Sequence, residues 1–340
     1  MNSQPLAGRR GGRTALDRDL IGDGRLDLSA DRRARPTVLD IVRARVIDAE
    51  LGGLLWVLLD GGVPIVVAGP GEDPAALRAR SDVLAAILEL VPASRSRRTL
   101  AGETEDFAWL GGAEELGWRR VVPPVADPDD PAATVILAGE IGAGPPADTI
   151  GDRARLVVRA AGRGYAVAAT ARAARLEDLI DLLRKRPLRV TDDELARLGI
   201  VLFLDGRPLG DRDSKPGPND SEPGRPPWVG SLHRVVAAHA FRPVARDVHG
   251  HSQRLPPAVL ATWDDRIARF EHFSWGVAGE LAARVGRRTG DYEVETARRA
   301  AALEALAANS GTSAADPAGI SLALERVRLA GLTTAGIREH

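Results

Sequence analysis

The sequence predicts an α/β fold in which a mostly parallel sheet is covered on both faces. Three observations carry that reading. The runs 63–68, 134–138, 166–170 and 200–204 are short and almost wholly apolar, which is how strands buried on both faces read. Segments with apolar residues at helical spacing lie between them, the alternation of βαβ units. The 340 residues are 44% hydrophobic and 27% charged, a composition able to bury a sizeable core and too apolar for wholesale disorder.

Residues 1–36 are rich in Arg, Gly and Asp without an apolar period, and read as a solvated tail. A core is expected over 37–204. It opens with two helices, marked by Val38, Leu39, Ile41 and Val42 and then by Leu51, Leu54, Leu55, Leu58 and Leu59, and stopped at Asp60-Gly61-Gly62. Strand 63–68 follows, then Gly69-Pro70-Gly71 and a helix over 74–90. Weak strands are expected at 99–101 and 121–122, and helices at 152–162 and 176–185. The stretch 205–227 is full of Pro, Gly, Asp and Ser, and reads as a linker or surface insertion. Residues 228–340 form a smaller α+β region: strands at 233–241 and 258–263, a turn at Asp264-Asp265 into 267–273, and helices at 276–285, 291–308 and 320–329.

Composition also excludes function classes. Lys+Arg 46 against Asp+Glu 47 leaves a net charge of -1, so there is no global basic excess of the kind a general nucleic-acid binder carries. No cysteine is present, which excludes disulfides, thiolate metal sites and cysteine nucleophiles and is compatible with a cytoplasmic location. No apolar run approaches the roughly 20 residues of a membrane-spanning helix, and the first 20 residues lack the apolar stretch of a signal peptide. Only Lys185 and Lys215 among the basic residues are lysine.

The chemistry-bearing candidates cluster at two strand ends. The first strand runs straight into Gly69-Pro70-Gly71 and then a helix, the place where a P-loop holds phosphates. A phosphate cradle needs Gly-x4-Gly-Lys-[Ser/Thr]. Counting from Gly69 puts Pro74, Ala75 and Ala76 on the last three places, and counting from Gly71 puts Ala76, Leu77 and Arg78. Neither register supplies the lysine or the hydroxyl. Glu72 and Asp73 stand at the helix start, where their carboxylates satisfy the free N–H groups that a phosphate would use. The second candidate is Glu140, after the apolar run 134–138, where P-loop ATPases carry the acid that orients Mg²⁺ or the attacking water.

Other candidates have bland readings. His249-Gly250-His251 with Asp247 lacks an evident third and fourth metal ligand, so no metal site is assigned. Ser231, His233 and Asp247 lack a nucleophile elbow. Trp228, Trp263 and Trp275 read as packing residues. Arg95, Arg97, Arg98 and Arg184-Lys185-Arg186 read as solvated faces, with a subunit interface as the sharper alternative. Thr104-Glu105-Asp106 reads as a solvated loop.

The order of elements resembles the ATPases of type II and type IV secretion, archaellum and Tad pilus assembly. The resemblance rests on Leu54-Leu55-Trp56-Val57-Leu58-Leu59, the strand into Gly69-Pro70-Gly71, Leu137-Ala138-Gly139-Glu140-Ile141 and Ala168-Ala169-Thr170. In the C-terminal part it rests on His233-Arg234-Val235-Val236, the segment Thr262 to Phe270 and Arg298-Arg299-Ala300-Ala301-Ala302-Leu303. It covers residues 36 to 330. It implies a RecA-like P-loop NTPase sheet, ATP and Mg²⁺ as cofactors of a working site, Glu140 as catalytic residue and Gly69, Pro70 and Gly71 as the nucleotide loop. It also implies a homo- or hetero-oligomer, with an active secretion ATPase or a membrane platform protein as partner, at the inner face of the membrane. The departures are the missing lysine and hydroxyl, a segment 70–85 about five residues too long, no histidine after Thr170, and fewer than 70 residues before the loop. The expected function is therefore an assembly or regulatory subunit with a decayed phosphate loop. The alternatives are an active motor that holds phosphate through Arg78 and Arg80, and a nucleic-acid-binding protein. Arg184, Arg186 and Glu140 are expected near a subunit boundary.

Overall fold

The computed structural model describes residues 35–119, 129–209, 231–246, 248–249, 252–309 and 317–336. Nine of the described strands form one mixed sheet in the order β11-β10-β7-β6-β1-β5-β3-β2, with β4 (Thr149–Ile150) pairing β3. Its parallel part is β6 (Ile200–Pro208), β1 (Ile65–Gly69), β5 (Ala166–Arg172), β3 (Thr134–Gly142) and β2 (Ser96–Thr99). The four apolar runs thus lie side by side as inner strands. The C-terminal strands β7 (His233–Ala240), β10 (Ala258–Asp264) and β11 (Arg269–His272) extend the same sheet by successive antiparallel pairings, β7 on β6, β10 on β7 and β11 on β10. The region beyond 228 therefore continues the core sheet and makes it mixed. A separate hairpin joins β8 (Val244–Arg246) to β9 (Ser252–Arg254).

Alternation along the inner strands divides the core in two. Ile65 and Val67 of β1, Leu137 of β3, Ala166 and Ala168 of β5, and Ile200 and Leu202 of β6 face one layer. That layer holds α1 (Val38–Arg43), α2 (Ala49–Asp60), α3 (Pro74–Ile87), α7 (Ala278–Arg284), α8 (Thr289–Asn309) and α9 (Pro317–Gly336). Val66, Ala68, Ile136, Ala138, Val167 and Val201 face the other layer, made of α4 (Gly151–Ala161), α5 (Leu176–Arg184) and α6 (Asp192–Leu195). Two covered faces explain why these strands carry no polar alternation.

The sequence pattern fixes the helix starts by capping. Thr37 and Asp40 make a capping box on α1, Asp48 caps α2, and Thr191 with Glu194 does the same for α6. The C-terminal helices are fastened by charge. Asp60, closing α2, accepts from Arg299 Nη2 at 2.6 Å and from Arg328 Nε at 2.8 Å. Both guanidinium groups lie within 6 Å of the Trp56 ring centre, at 5.0 and 5.8 Å, a cation–π contact that suits Arg over Lys.

Several sequence expectations change on contact with the structure. The 205–227 surface segment begins later, because Asp205 to Pro208 still belong to β6; residues 210–230 lie outside the described residues. The weak strand at 99–101 lies earlier, as β2, and 121–122 is outside the described residues. Glu105 is not solvated: it is 8% exposed and accepts from Ala101 N, Phe107 N and Trp109 Nε1. Trp275 is 78% exposed and packs into no core, whereas Trp263 meets Phe270 edge to face and carries the Arg234 guanidinium over its ring. The Arg95–Arg98 cluster is engaged: Arg95 donates to Asp60 O, Arg97 to Leu88 O, and Arg98 pairs with Asp129.

Candidate functional site

The carboxyl ends of β1, β3 and β5 lie at one edge of the sheet. The chain leaves β1 toward β2 on one side and leaves β5 toward β6 on the other, so the crevice between β1 and β5 is a topological switch point. This is where open α/β sheets bind ligands. Gly69-Pro70-Gly71 forms one wall, Glu140 stands one strand away on β3, and Thr170 of β5 lies beside Glu140 in register.

A β-bulge brings Glu140 to that crevice. The β3–β5 pairing slips by one residue between Leu137 and Glu140, and Gly139 has φ +65°, the left-handed conformation that glycine adopts without strain. Ala138 and Ile141 consequently share one layer, although they are three residues apart. The side chain between them that turns to the other layer, the α3 side, is Glu140. Asp148 holds the bulge by accepting from Glu140 N at 2.8 Å.

On α3 the buried positions are Ala76, Ala79, Arg80, Val83, Leu84 and Ile87, with Asp82 and Ala86 beside them. Arg80 sits within that stripe, is 1% exposed, and reaches back along its helix into the crevice. Its Nε and Nη2 both donate to Glu140 Oε2, Nε at 3.0 Å. Its Nη1 donates to Gly69 O at 3.2 Å, Pro70 O at 3.0 Å and Gly71 O at 3.2 Å. Three consecutive carbonyls therefore converge on a cation. A phosphate cradle has the opposite polarity, with backbone N–H groups converging on an anion.

The remaining phosphate-binding features are also taken. Asp73 Oδ1 accepts from Ala75 N and Ala76 N at 2.9 and 3.0 Å, and these bonds hold its carboxyl below the usual range. Of the two acids expected to cap α3, only Asp73 does so. Glu72 instead pairs with Arg172 at the end of β5, across the mouth of the crevice.

Glu140 is 6% exposed and enclosed by its own chain. Arg184 pairs with Asp192, and Lys185 with Asp181. His233, on β7, has its Nδ1 2.6 Å from Asp205 O. Of the His249 motif, residues 247, 250 and 251 lie outside the described residues. Among the described residues no group of three or more His, Asp or Glu is placed to hold a metal, and no helix is long and apolar enough to cross a membrane.

Sequence reasoning missed the partner of Glu140 and a recess at the opposite sheet edge. That recess, of about 540 Å³, is lined by Gly62, Pro64, Tyr165, Arg197, Val244 and Arg284 among others. Arg284 donates there to Ala196 O and Phe241 O, and its burial pulls its pKa down. No protein-family model and no curated protein matches the chain.

Proposed function

We propose that this chain is a secretion- or pilus-assembly-ATPase-like protein on a RecA-like core that has given up nucleotide turnover and serves as an assembly or regulatory subunit. The observation that carries the reading is the Arg80 guanidinium, bound at once by Glu140 and by the carbonyls of Gly69, Pro70 and Gly71. The arrangement of a strand–Gly-Pro-Gly turn and an acid-bearing strand at one sheet edge, with a third strand between them, supports descent from an ATP-binding core. The occupied crevice argues against the motor alternative. Mg-ATP would need the loop to turn its amides inward, and Glu140 would need to exchange a buried guanidinium for Mg²⁺ or water.

In this reading the protein is cytoplasmic, works at the inner face of the membrane beside an active secretion ATPase or a platform protein, and uses neither ATP nor Mg²⁺. Calorimetry of the purified chain with Mg-ATP tests the nucleotide half. No saturable heat is expected; binding with a dissociation constant on the order of 10 μM, with turnover lost in Glu140→Gln, would overturn it. Light scattering with and without a co-expressed active secretion ATPase tests the assembly half, which a monomeric mass in every mixture would remove.

A further inference from the structure

The loop after β1 has the chemistry of a receptor for a cation. Gly69 O, Pro70 O and Gly71 O lie 3.0 to 3.2 Å from one nitrogen, and Glu140 Oε2 accepts from the other two N–H bearing nitrogens of the same planar group. A second observation places a buried, unpartnered oxygen next to Glu140. Thr170 is 0% exposed, its Oγ1 has no hydrogen-bond partner, and it is the register partner of Glu140. By the alternation of β5, in which Ala166 and Ala168 face the α3 layer, Thr170 turns to that layer too. A planar, multiply donating cation fits such a set better than a compact ammonium, because its donors point in fixed directions to separate acceptors.

We propose that the crevice is a guanidinium-binding site whose ligand is tethered as the side chain of Arg80. This assigns a ligand class to the crevice and rests on the reading above only in taking that crevice as the site. Removing Arg80 should therefore leave a vacancy for a free guanidinium cation and should not restore a phosphate cradle. The carbonyls and Glu140 remain, and Asp73 still holds the helix amides.

The test is chemical rescue of Arg80→Ala with ethylguanidinium, which replaces the atoms that the substitution removes. The thermal midpoint of the variant is expected to lie below that of the unsubstituted chain and to rise saturably with ethylguanidinium, half-maximally on the order of 1–10 mM, a weak-ligand affinity. Ethylammonium at equal ionic strength is expected to give a much smaller rise. The unsubstituted chain and the Arg80→Ala/Glu140→Gln double variant are expected to show none. No rise above the salt control, an equal rise in the unsubstituted chain, or saturable Mg-ATP binding by Arg80→Ala would overturn the proposal. Should Arg80→Ala be recovered unfolded, refolding from urea decides: folding only with ethylguanidinium present supports the site, and failure with and without it overturns it. Mg-ATP binding by the unsubstituted chain would instead defeat the preceding reading and leave the rescue result standing.

Discussion

The Asp148 carboxylate occupies the volume that a side chain at Gly139 would need: a Cβ built there would fall 2.5 Å from Asp148 Oδ2. The same carboxylate accepts from the next amide, Glu140 N. Glycine at 139 thus does two things. It adopts φ +65°, and it lets the bulge close against Asp148, which turns Glu140 toward Arg80.

Gly139→Ala is expected to destabilise the chain by roughly 2 kcal/mol or more, the sum of a left-handed alanine and a displaced carboxylate. Urea unfolding measures it. A loss of only a few tenths would mean that the bulge relaxes without cost, and that Glu140 does not depend on it.

Breaking the Arg80–Glu140 pair from one side should cost more than removing it whole. Glu140→Gln leaves a buried guanidinium without its counter-charge, a class of change that costs about 3–5 kcal/mol. The double variant Arg80→Leu/Glu140→Leu should be more stable than either single leucine variant. A double-mutant cycle with additive losses would show that the two groups do not act as a pair.

Asp82 makes stability fall as pH rises from 3.8 to about 6. Burial raises its pKa from 3.8 to about 6, against the opposing charges of Arg35 and Arg78. The folded state therefore binds the proton more tightly than the unfolded one. This stabilisation is full below 3.8 and is lost as pH rises to about 6, by up to about 3 kcal/mol. Asp82→Asn should flatten that part of the profile and exceed the unsubstituted chain in stability at pH 8. Parallel profiles for the two proteins would contradict the assignment.

A second titration falls at higher pH. Burial lowers the pKa of His272, but its hydrogen bond with Asp48 at 2.8 Å and the charges of Asp48 and Glu50 outweigh this and leave it raised above 6.5. Its contribution to holding β11 against the start of α2 is full below 6.5 and is lost as pH rises through the folded value. Asp48→Asn keeps a capping side chain for α2 and should remove the dependence above 6.5. NMR titration of the His272 ring measures both proteins; equal pKa values would refute the pairing.

Much of this frame was legible in the residues. The four apolar runs are the inner strands because burial on both faces leaves a plain compositional mark, and Asp73-Pro74 marks a capped helix start through local hydrogen bonding. Glu140 was legible as an acid on such a strand. Its partner was harder to see, since Arg80 and Glu140 are 60 residues apart in sequence, and pairing across that distance has no periodic signature. A signal did exist. Ala76, Ala79, Val83, Leu84 and Ile87 form a helical stripe in which Arg80 is a charge on the buried face, and a charge there demands a counter-charge. The bulge was illegible for a related reason: Gly139 announces conformational freedom, but only the register with β5 shows which way Glu140 turns.

The central claim is that the crevice holds the Arg80 guanidinium and does not give it up to nucleotide. NMR of the Arg80 Nε–H, assigned by its loss in Arg80→Ala, tests it most directly, because that proton is given to Glu140. The resonance is expected to exchange slowly with water and to keep its position as Mg-ATP is added to millimolar excess. A saturable shift or loss of the signal on titration with Mg-ATP would contradict the account.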